Sequence, residues 1–305
     1  MRKKSLLLIL CLVIGFGLIT GSCMPFFYAD IGVHFINVAG GDAILIHDLV
    51  SRKCVLIDGG STDTGDWVVN YLKYYAEIPQ VFDEDGNSTW VLDAIVSTNP
   101  DPNYLGGLTK VLENEDIKVN AFYYSGHSHY AANQELQEAL ASAELSPQTL
   151  AKNNGLQIGK LSFDVLHPST PDGYAEAYDS SIVLRLDYGK LSFLFAGAIG
   201  AQAEAEMLSD DANLSVDFLK MSQNWTPTSS SQFLKKVNPQ GVIYSQEEEP
   251  SPIDSKVREN LSNVRSYWTN AYPDEPTGHS ITFWINPDQC RIDAPQPPFP
   301  GFDDW

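Results

Sequence analysis

Basic residues are scarce in this chain. Its 305 residues include 19 lysines and arginines against 39 aspartates and glutamates, which gives a formal net charge of −20. A surface with this field repels phosphate backbones unless a local basic groove offsets it, and no such groove is visible in the sequence. We therefore expect the partner to be an unidentified protein or small molecule rather than nucleic acid.

Several common catalytic motifs are also missing. The chain has no P-loop, no Rossmann glycine fingerprint and no G-x-S-x-G nucleophile elbow. The serine run 229–231 is predicted instead to begin a helix, where serine side chains cap exposed amides. These absences argue against nucleotide-dependent chemistry and against a serine hydrolase.

The long apolar run of the chain lies at its N-terminus. Residues 1–23 have a basic start, an apolar stretch from Leu6 to Ile19 and then small residues, which is the pattern of an export signal. The segment 18–23 is similar to a bacterial lipobox, in which Cys23 would be lipidated and anchor the protein to a membrane, although Thr20 replaces the usual leucine. A cleaved signal peptide and an uncleaved anchor are the alternatives. We expect residues 24–30 to form a short linker.

Cysteine is rare, with four in the chain. Cys11 and Cys23 belong to the N-terminal segment, which leaves Cys54 and Cys290 in the rest of the protein. An oxidising compartment would permit a disulfide between them, and two buried free thiols are the alternative.

The remainder of the chain alternates short apolar runs with amphipathic stretches. Runs such as 53–58, 92–97 and 191–196 predict strands, and the apolar spacing in 67–76 predicts a helix. This alternation indicates a layered α/β fold. The last residues, 288–305, form a Pro-rich acidic tail.

Several blocks, in order, resemble one known family. The chain reads FINVAGGDAILI at 35–46, LIDGG at 56–60, STNPDPNYLGGL at 97–108, SIVLRLDYG at 181–189, FLFAGAI at 193–199 and DFLKMSQNWT at 217–226. They are similar to blocks of the metallo-β-lactamase fold, in particular of the domain attached to ComEC-type DNA-internalisation competence proteins and of its free-standing relatives. The resemblance implies a four-layer αββα sandwich over residues 31–287.

The same blocks differ from the family at its metal ligands. The family's dinuclear site uses an H-x-D-x-D-H loop, the aspartate of a G-D-I block and a histidine of H-H-G-S. In this chain those segments contain Asn99, Asp101, Asn103, Tyr104, Ala198, Gln223 and Asn224. Amide, phenol and methyl groups are poor Zn²⁺ ligands, and one carboxylate does not make a site. We therefore expect no cofactor.

The acidic and glycine residues that match the family have a structural interpretation. Asp42 and Asp58 are expected to bond turn amides, and the glycine pairs 59–60 and 106–107 to permit tight turns and close helix approach.

A rebuilt metal site is the alternative. His127 and His129 form an H-x-H pair, which on an extended segment would place both rings on one side, and with Asp101 they would make a mononuclear Zn²⁺ site. A solvent-exposed loop is the simpler interpretation. The sequence thus predicts a non-catalytic binding or scaffold module at the cell envelope, with a metal-dependent hydrolase of the phosphodiesterase or nuclease type as the alternative.

Overall fold

We describe a computed structural model over residues 27–38, 40–210, 212–222, 229–245, 255–269 and 280–294. Its strands are β1 (Ile31–Phe35), β2 (Ile44–Asp48), β3 (Lys53–Ile57), β4 (Gln80–Phe82), β5 (Ser88–Leu92), β6 (Ala94–Ser97), β7 (Ile117–Val119), β8 (Phe122–Tyr124), β9 (Gln148–Thr149), β10 (Gly155–Ile158), β11 (Leu161–His167), β12 (Val183–Tyr188), β13 (Leu191–Phe195), β14 (Phe218–Lys220), β15 (Gly241–Tyr244), β16 (Arg265–Trp268), β17 (Ile281–Ile285) and β18 (Cys290–Asp293).

The α-helices of these residues are Gly65–Asn70, Pro102–Glu113, Ser128–Ala132, Gln134–Ser142, Ala201–Ser209, Ser231–Val237 and Ser255–Asn260. The first continues as a π-helical turn over Tyr71–Tyr75, and 3₁₀ turns cover Thr62–Thr64 and Ala177–Ser180. No helix of the described residues combines the length and the apolar character needed to cross a membrane.

Two large sheets form the centre of the molecule. One has the strand order β18-β17-β1-β2-β3-β6-β8-β9, and the other has the order β10-β11-β12-β13-β14-β15-β16. Their inner faces meet through buried aromatic rings: the Phe35 ring lies 6.2 Å from that of Phe195, and the Phe193 ring lies 5.4 Å from that of Phe283. β1 and β2 are buried along their whole length, because one face packs on this core and the other is covered by helices.

The helices form the outer two layers. Gly65–Asn70, Pro102–Glu113 and Gln134–Ser142 share a core with the outer face of the first sheet, while Ala201–Ser209 and Ser231–Val237 share one with the second sheet. Helix, sheet, sheet and helix therefore stack in the four-layer order that the motifs predicted.

A third, three-stranded sheet of order β4-β5-β7 was not predicted. The acidic stretch 83–88 forms a surface turn, in which the Asp83 side chain accepts hydrogen bonds from the backbone amides of Asp85 and Asn87 at 3.0 and 2.8 Å. The strands on either side escaped notice because β4 is three residues long and largely exposed, so it has no alternation to detect.

The two cysteines of this region are free. Cys54 is buried in β3 and Cys290 is exposed in β18. Three strands separate them in the sheet, a distance of about 19 Å at the usual strand spacing, whereas a disulfide needs Cα atoms within about 7 Å. The suggested disulfide is therefore wrong, and the alternative of two buried thiols holds only for Cys54.

Candidate functional site

Three of the motif segments meet at one edge of the first sheet. The amide of Gly60 donates to the carbonyl of Asp42 at 2.7 Å, that of Gly59 to the carbonyl of Tyr104 at 2.8 Å, and that of Gly107 to the carbonyl of Gly60 at 3.0 Å. The turn before β2, the loop after β3 and the helix that follows β6 are thus tied together through their backbones.

Glycine makes this approach sterically feasible. A Cβ at Gly107 would lie 1.9 Å from the carbonyl oxygen of Gly59, and one at Gly106 would lie 2.5 Å from the amide of Thr62. Gly60 has φ +70°, in the region that glycine favours. These contacts confirm that the glycine pairs serve turns and close helix packing.

A buried ion pair crosses the site. The Lys220 ammonium at the end of β14 lies 2.5 Å from the Asp42 carboxylate, and the two side chains are 0% and 1% exposed. Lys220 Nζ also donates to the carbonyl of Met221 at 2.9 Å. Burial raises the pKa of Asp42, while the Lys220 charge and a hydrogen bond from Ser245 oppose that rise. The expectation that the Asp42 side chain bonds turn amides is corrected: it joins the two sheets.

The second buried carboxylate, Asp58, holds the start of the long motif. It has φ 56°, and its two oxygens accept hydrogen bonds from the amide and the hydroxyl of Thr98 at 2.7 and 2.6 Å. Burial raises the pKa of Asp58 well above its usual value, and the nearby Asp42 carboxyl adds to the rise. Asp58 is therefore a structural clamp on the loop that follows β6.

Asn99 occupies the first ligand position of that loop and is buried. Its Nδ2 donates to the hydroxyl of Ser181 at 2.8 Å, and its Oδ1 accepts from the amide of Asp101 at 2.8 Å. The amide thus links the loop to the segment before β12. Both ends of its polar group are satisfied within the protein.

The other predicted site residues separate into two environments. Tyr104 and Ala198 are buried, with 3% and 4% of their surface exposed. Burial raises the pKa of Tyr104 well above its usual value, and the neighbouring Asp42 carboxyl adds to the rise. Asp101 and Asn103 are exposed, and Asp101 caps the helix by accepting from the amide of Asn103 at 2.9 Å. Gln223, Asn224 and Cys23 lie outside the described residues.

The histidine pair lies on a helix start, so the prediction of an extended segment is wrong. His127 is the N-cap of the helix Ser128–Ala132 and accepts from the amide of His129 through Nδ1 at 3.2 Å. The two rings lie 4.5 Å apart, and His127 Nε2 is 3.5 Å from the Asp172 carboxylate. Burial lowers the pKa of His127, an effect that Asp172 opposes.

Asp172 was missed by the sequence analysis because it belongs to an irregular loop with no motif or periodicity. It also accepts hydrogen bonds from the amide and hydroxyl of Ser128 at 3.0 Å. Asp101 does not join these side chains, and the described residues contain no group of three His, Cys, Asp or Glu side chains placed to hold a metal ion.

The donor set at the motif edge does not fit a Zn²⁺ centre. Zinc requires three or four convergent imidazole, thiolate or carboxylate ligands. The described residues supply the Asn99 amide, the Tyr104 phenol, the Ala198 methyl group and one exposed carboxylate, Asp101, which caps the helix, while the two buried carboxyls are engaged by Lys220 and Thr98. We therefore derive no metal-dependent step from this arrangement.

Comparison by sequence found a curated relative at low identity. No protein-family model matches the chain. ComE operon protein 3 of Bacillus subtilis (strain 168) is 24% identical over 218 residues, which make up 70% of this chain and 28% of that protein. The chain thus spans little more than a quarter of the curated relative that it matches.

Solved structures superpose on this chain at low identity. CmlA, a diiron β-hydroxylase from Streptomyces venezuelae, superposes with a TM-score of 0.50 and 11% identity, covering 80% of this chain and 53% of that one. The metallo-β-lactamase fold protein YhfI from Bacillus subtilis has a TM-score of 0.49 and 13% identity, covering 79% and 97%. The chain has the metallo-β-lactamase fold that its motifs predicted.

Proposed function

We propose that this chain is a non-catalytic member of its fold, exported and lipid-anchored through Cys23, that serves as a binding or scaffold module at the bacterial cell envelope. Its partner is a protein or small molecule. The formal charge of −20 disfavours nucleic acid.

One observation carries the proposal. At the edge where hydrolases of this fold bind metal, the buried polar groups that the structure describes are bonded to other groups of the protein. The Asn99 amide donates a hydrogen bond to Ser181, the Asp58 carboxyl accepts one from Thr98, and the Asp42 carboxylate forms an ion pair with Lys220. A catalytic site leaves reactive groups available to substrate, whereas these groups hold three segments of the fold together.

Metal analysis tests the proposal directly. Full-length protein produced with Zn²⁺ and Mn²⁺ supplied should contain well under one equivalent of either metal and should not hydrolyse bis-nitrophenyl phosphate. A stoichiometric ion that is lost in His127→Ala or in His129→Ala would overturn the proposal in favour of a rebuilt metal site. Chelator-sensitive turnover would also overturn it.

The anchor is tested separately. Cys23→Ala should release the protein from the membrane fraction, while Cys11→Ala should leave it there, because a lipobox cysteine becomes the lipidated N-terminus. Membrane association that survives Cys23→Ala would refute the lipid anchor and favour an uncleaved segment.

A further inference from the structure

An open aromatic cleft lies away from the motif edge. It has a volume of about 450 Å³, and its lining includes Tyr74, Phe82, Trp90, Arg52 and Lys73. Tyr74 and Phe82 are 63% and 69% exposed, and the Tyr74 ring lies 6.5 Å from that of Trp90. We call this feature the Tyr74 cleft. Large aromatic side chains clustered on a surface indicate a binding site.

The cleft also carries charge: Arg52 and Lys73 contribute cationic groups, which are scarce in this protein, and Glu77 contributes one exposed carboxylate. Lys73 contacts the Asp116 carboxylate, so part of its charge is already balanced. The Arg52 side chain is exposed, and among the described residues no carboxylate forms an ion pair with it. In a chain with twice as many acidic as basic residues, an arginine beside exposed rings favours an acidic, aromatic occupant.

The chain's own last eleven residues have that chemistry. Segment 295–305 reads PQPPFPGFDDW, with four prolines, three aromatic residues and two aspartates. Proline-rich segments favour the extended polyproline II conformation and dock in grooves lined by aromatic side chains. Asp303 and Asp304 would complement Arg52 and Lys73.

The segment is long enough to reach the cleft. Asp293, at the end of β18, lies opposite Thr282 on the neighbouring strand β17. The register across β1 and β2 then leads, through His34 and Leu45, to Leu56 on β3, which is four strand spacings from Asp293 and four residues after Arg52 in the chain. Strand spacing and rise place Arg52 about 23 Å from Asp293. Eleven residues in polyproline II span about 34 Å.

A series of neighbouring aromatic side chains extends from the end of β18 towards the Tyr74 cleft. Trp284 Nε1 donates to Asp293 at 2.8 Å, and its ring lies 5.1 Å from that of His34. His34 Nδ1 is 3.1 Å from the Tyr71 hydroxyl, and Tyr71 stacks on Tyr75, the neighbour of Tyr74 in the chain. Asp293, the last residue of β18, therefore lies beside the first of a series of rings that leads towards the cleft.

We propose that segment 295–305 docks in the Tyr74 cleft of its own molecule, with its prolines and aromatic rings on Tyr74, Phe82 and Trp90 and its aspartates at Arg52 and Lys73. The interaction is independent of whether the motif edge is catalytic. It would cover exposed rings and neutralise the cationic side of the cleft.

Fluorine NMR of full-length protein labelled with 5-fluorotryptophan tests this docking. The Trp305 resonance is assigned with Trp305→Phe, and a synthetic 295–305 peptide gives its free position. We expect the Trp305 resonance of the protein to be broad and shifted from the peptide position. Arg52→Glu, or salt raised to about 0.5 M, should return it to that position, because screening weakens exposed charge pairs. Lys235→Glu, which makes the same charge change on the far side of the fold, should leave it shifted.

Trp90 provides a second reporter inside the cleft. Its resonance, assigned with Trp90→Phe, should move in Phe299→Ser and Phe302→Ser variants of the full chain. A narrow Trp305 line at the free-peptide position in the native protein would overturn the proposal. A shift that grows with protein concentration and accompanies dimer formation would overturn it in favour of a second copy as the occupant.

Discussion

The buried pair of Asp42 and Lys220 should control the stability of the whole fold. Both side chains are shielded from water, so solvent does not screen a charge left without its partner. Lys220→Met removes the ammonium but retains an apolar stem, and it leaves the buried Asp42 carboxylate without its cationic partner. Breaking one side of a buried pair costs about 3–5 kcal/mol, so we expect a loss of that size in the free energy of unfolding at pH 7.

The double variant separates the charge effect from packing. In Asp42→Asn with Lys220→Met no charge is left buried, so much of the loss should be recovered, and the two substitutions should show a coupling energy of about 2 kcal/mol or more. Urea unfolding followed by tryptophan fluorescence measures all four proteins of the cycle. Single losses that simply add, with coupling below about 0.5 kcal/mol, would refute the claim that the two groups act as a pair.

The pH dependence gives an independent check. Burial raises the pKa of Asp42 above its unfolded value, so this group stabilises the fold at pH values below the unfolded pKa and loses that contribution as pH rises through the folded pKa. Without Lys220 the folded pKa should rise further. The deficit of Lys220→Met should therefore shrink as pH falls from 7 towards 5, and a deficit that is constant or grows would contradict this assignment.

Three further predictions concern packing and thiol chemistry. Gly107→Ala should lower the free energy of unfolding by more than about 3 kcal/mol, because the added Cβ would meet the Gly59 carbonyl oxygen at 1.9 Å. The control Gly40→Ala, whose Cβ would have nothing within 4 Å, should change the free energy of unfolding by less than about 1 kcal/mol. Equal effects of the two substitutions in urea unfolding would contradict the close approach. Tyr104→Ala should cost about 3–5 kcal/mol by leaving a cavity, and a cost below 1 kcal/mol would show that the ring does not fill the site. Cys290 should react slowly with Ellman's reagent in the native protein, because its pKa is raised to about 11, whereas burial and a pKa of about 12 should protect Cys54 until the protein unfolds. Cys290→Ser should remove the reaction of the native protein. A native reaction that persists in Cys290→Ser would contradict the assignment of that reaction to Cys290.

Local patterns in the chain predicted much of the fold. The apolar runs that became β3, β6 and β13 are four or five residues long and buried on both faces, so their composition is sufficient to identify them. The small sheet and the exposed β18 were missed, because short or solvent-exposed strands carry no hydrophobic period.

The candidate site was predicted less completely. Asn99 and Tyr104 were recognised from the motif, since spacing identifies a position whatever side chain occupies it. Partners in space were not: Ser181 lies 82 residues beyond Asn99, Lys220 lies 178 residues beyond Asp42, and no local pattern indicates such contacts. Asp172, which faces His127, lay in a loop without any signal.

The sequence alone determined the layered α/β class, the acidic character and the chemical identity of each group at the motif edge, because composition, periodicity and motif spacing are local properties. Tertiary structure decided how those groups are used. It paired Asp42 with Lys220 across two sheets, turned Asp58 onto Thr98, kept Asp101 at the surface and brought Asp172 rather than Asp101 to His127. The physical reason is that a buried polar group must find a partner in space, and the partner available depends on how the sheets and helices pack.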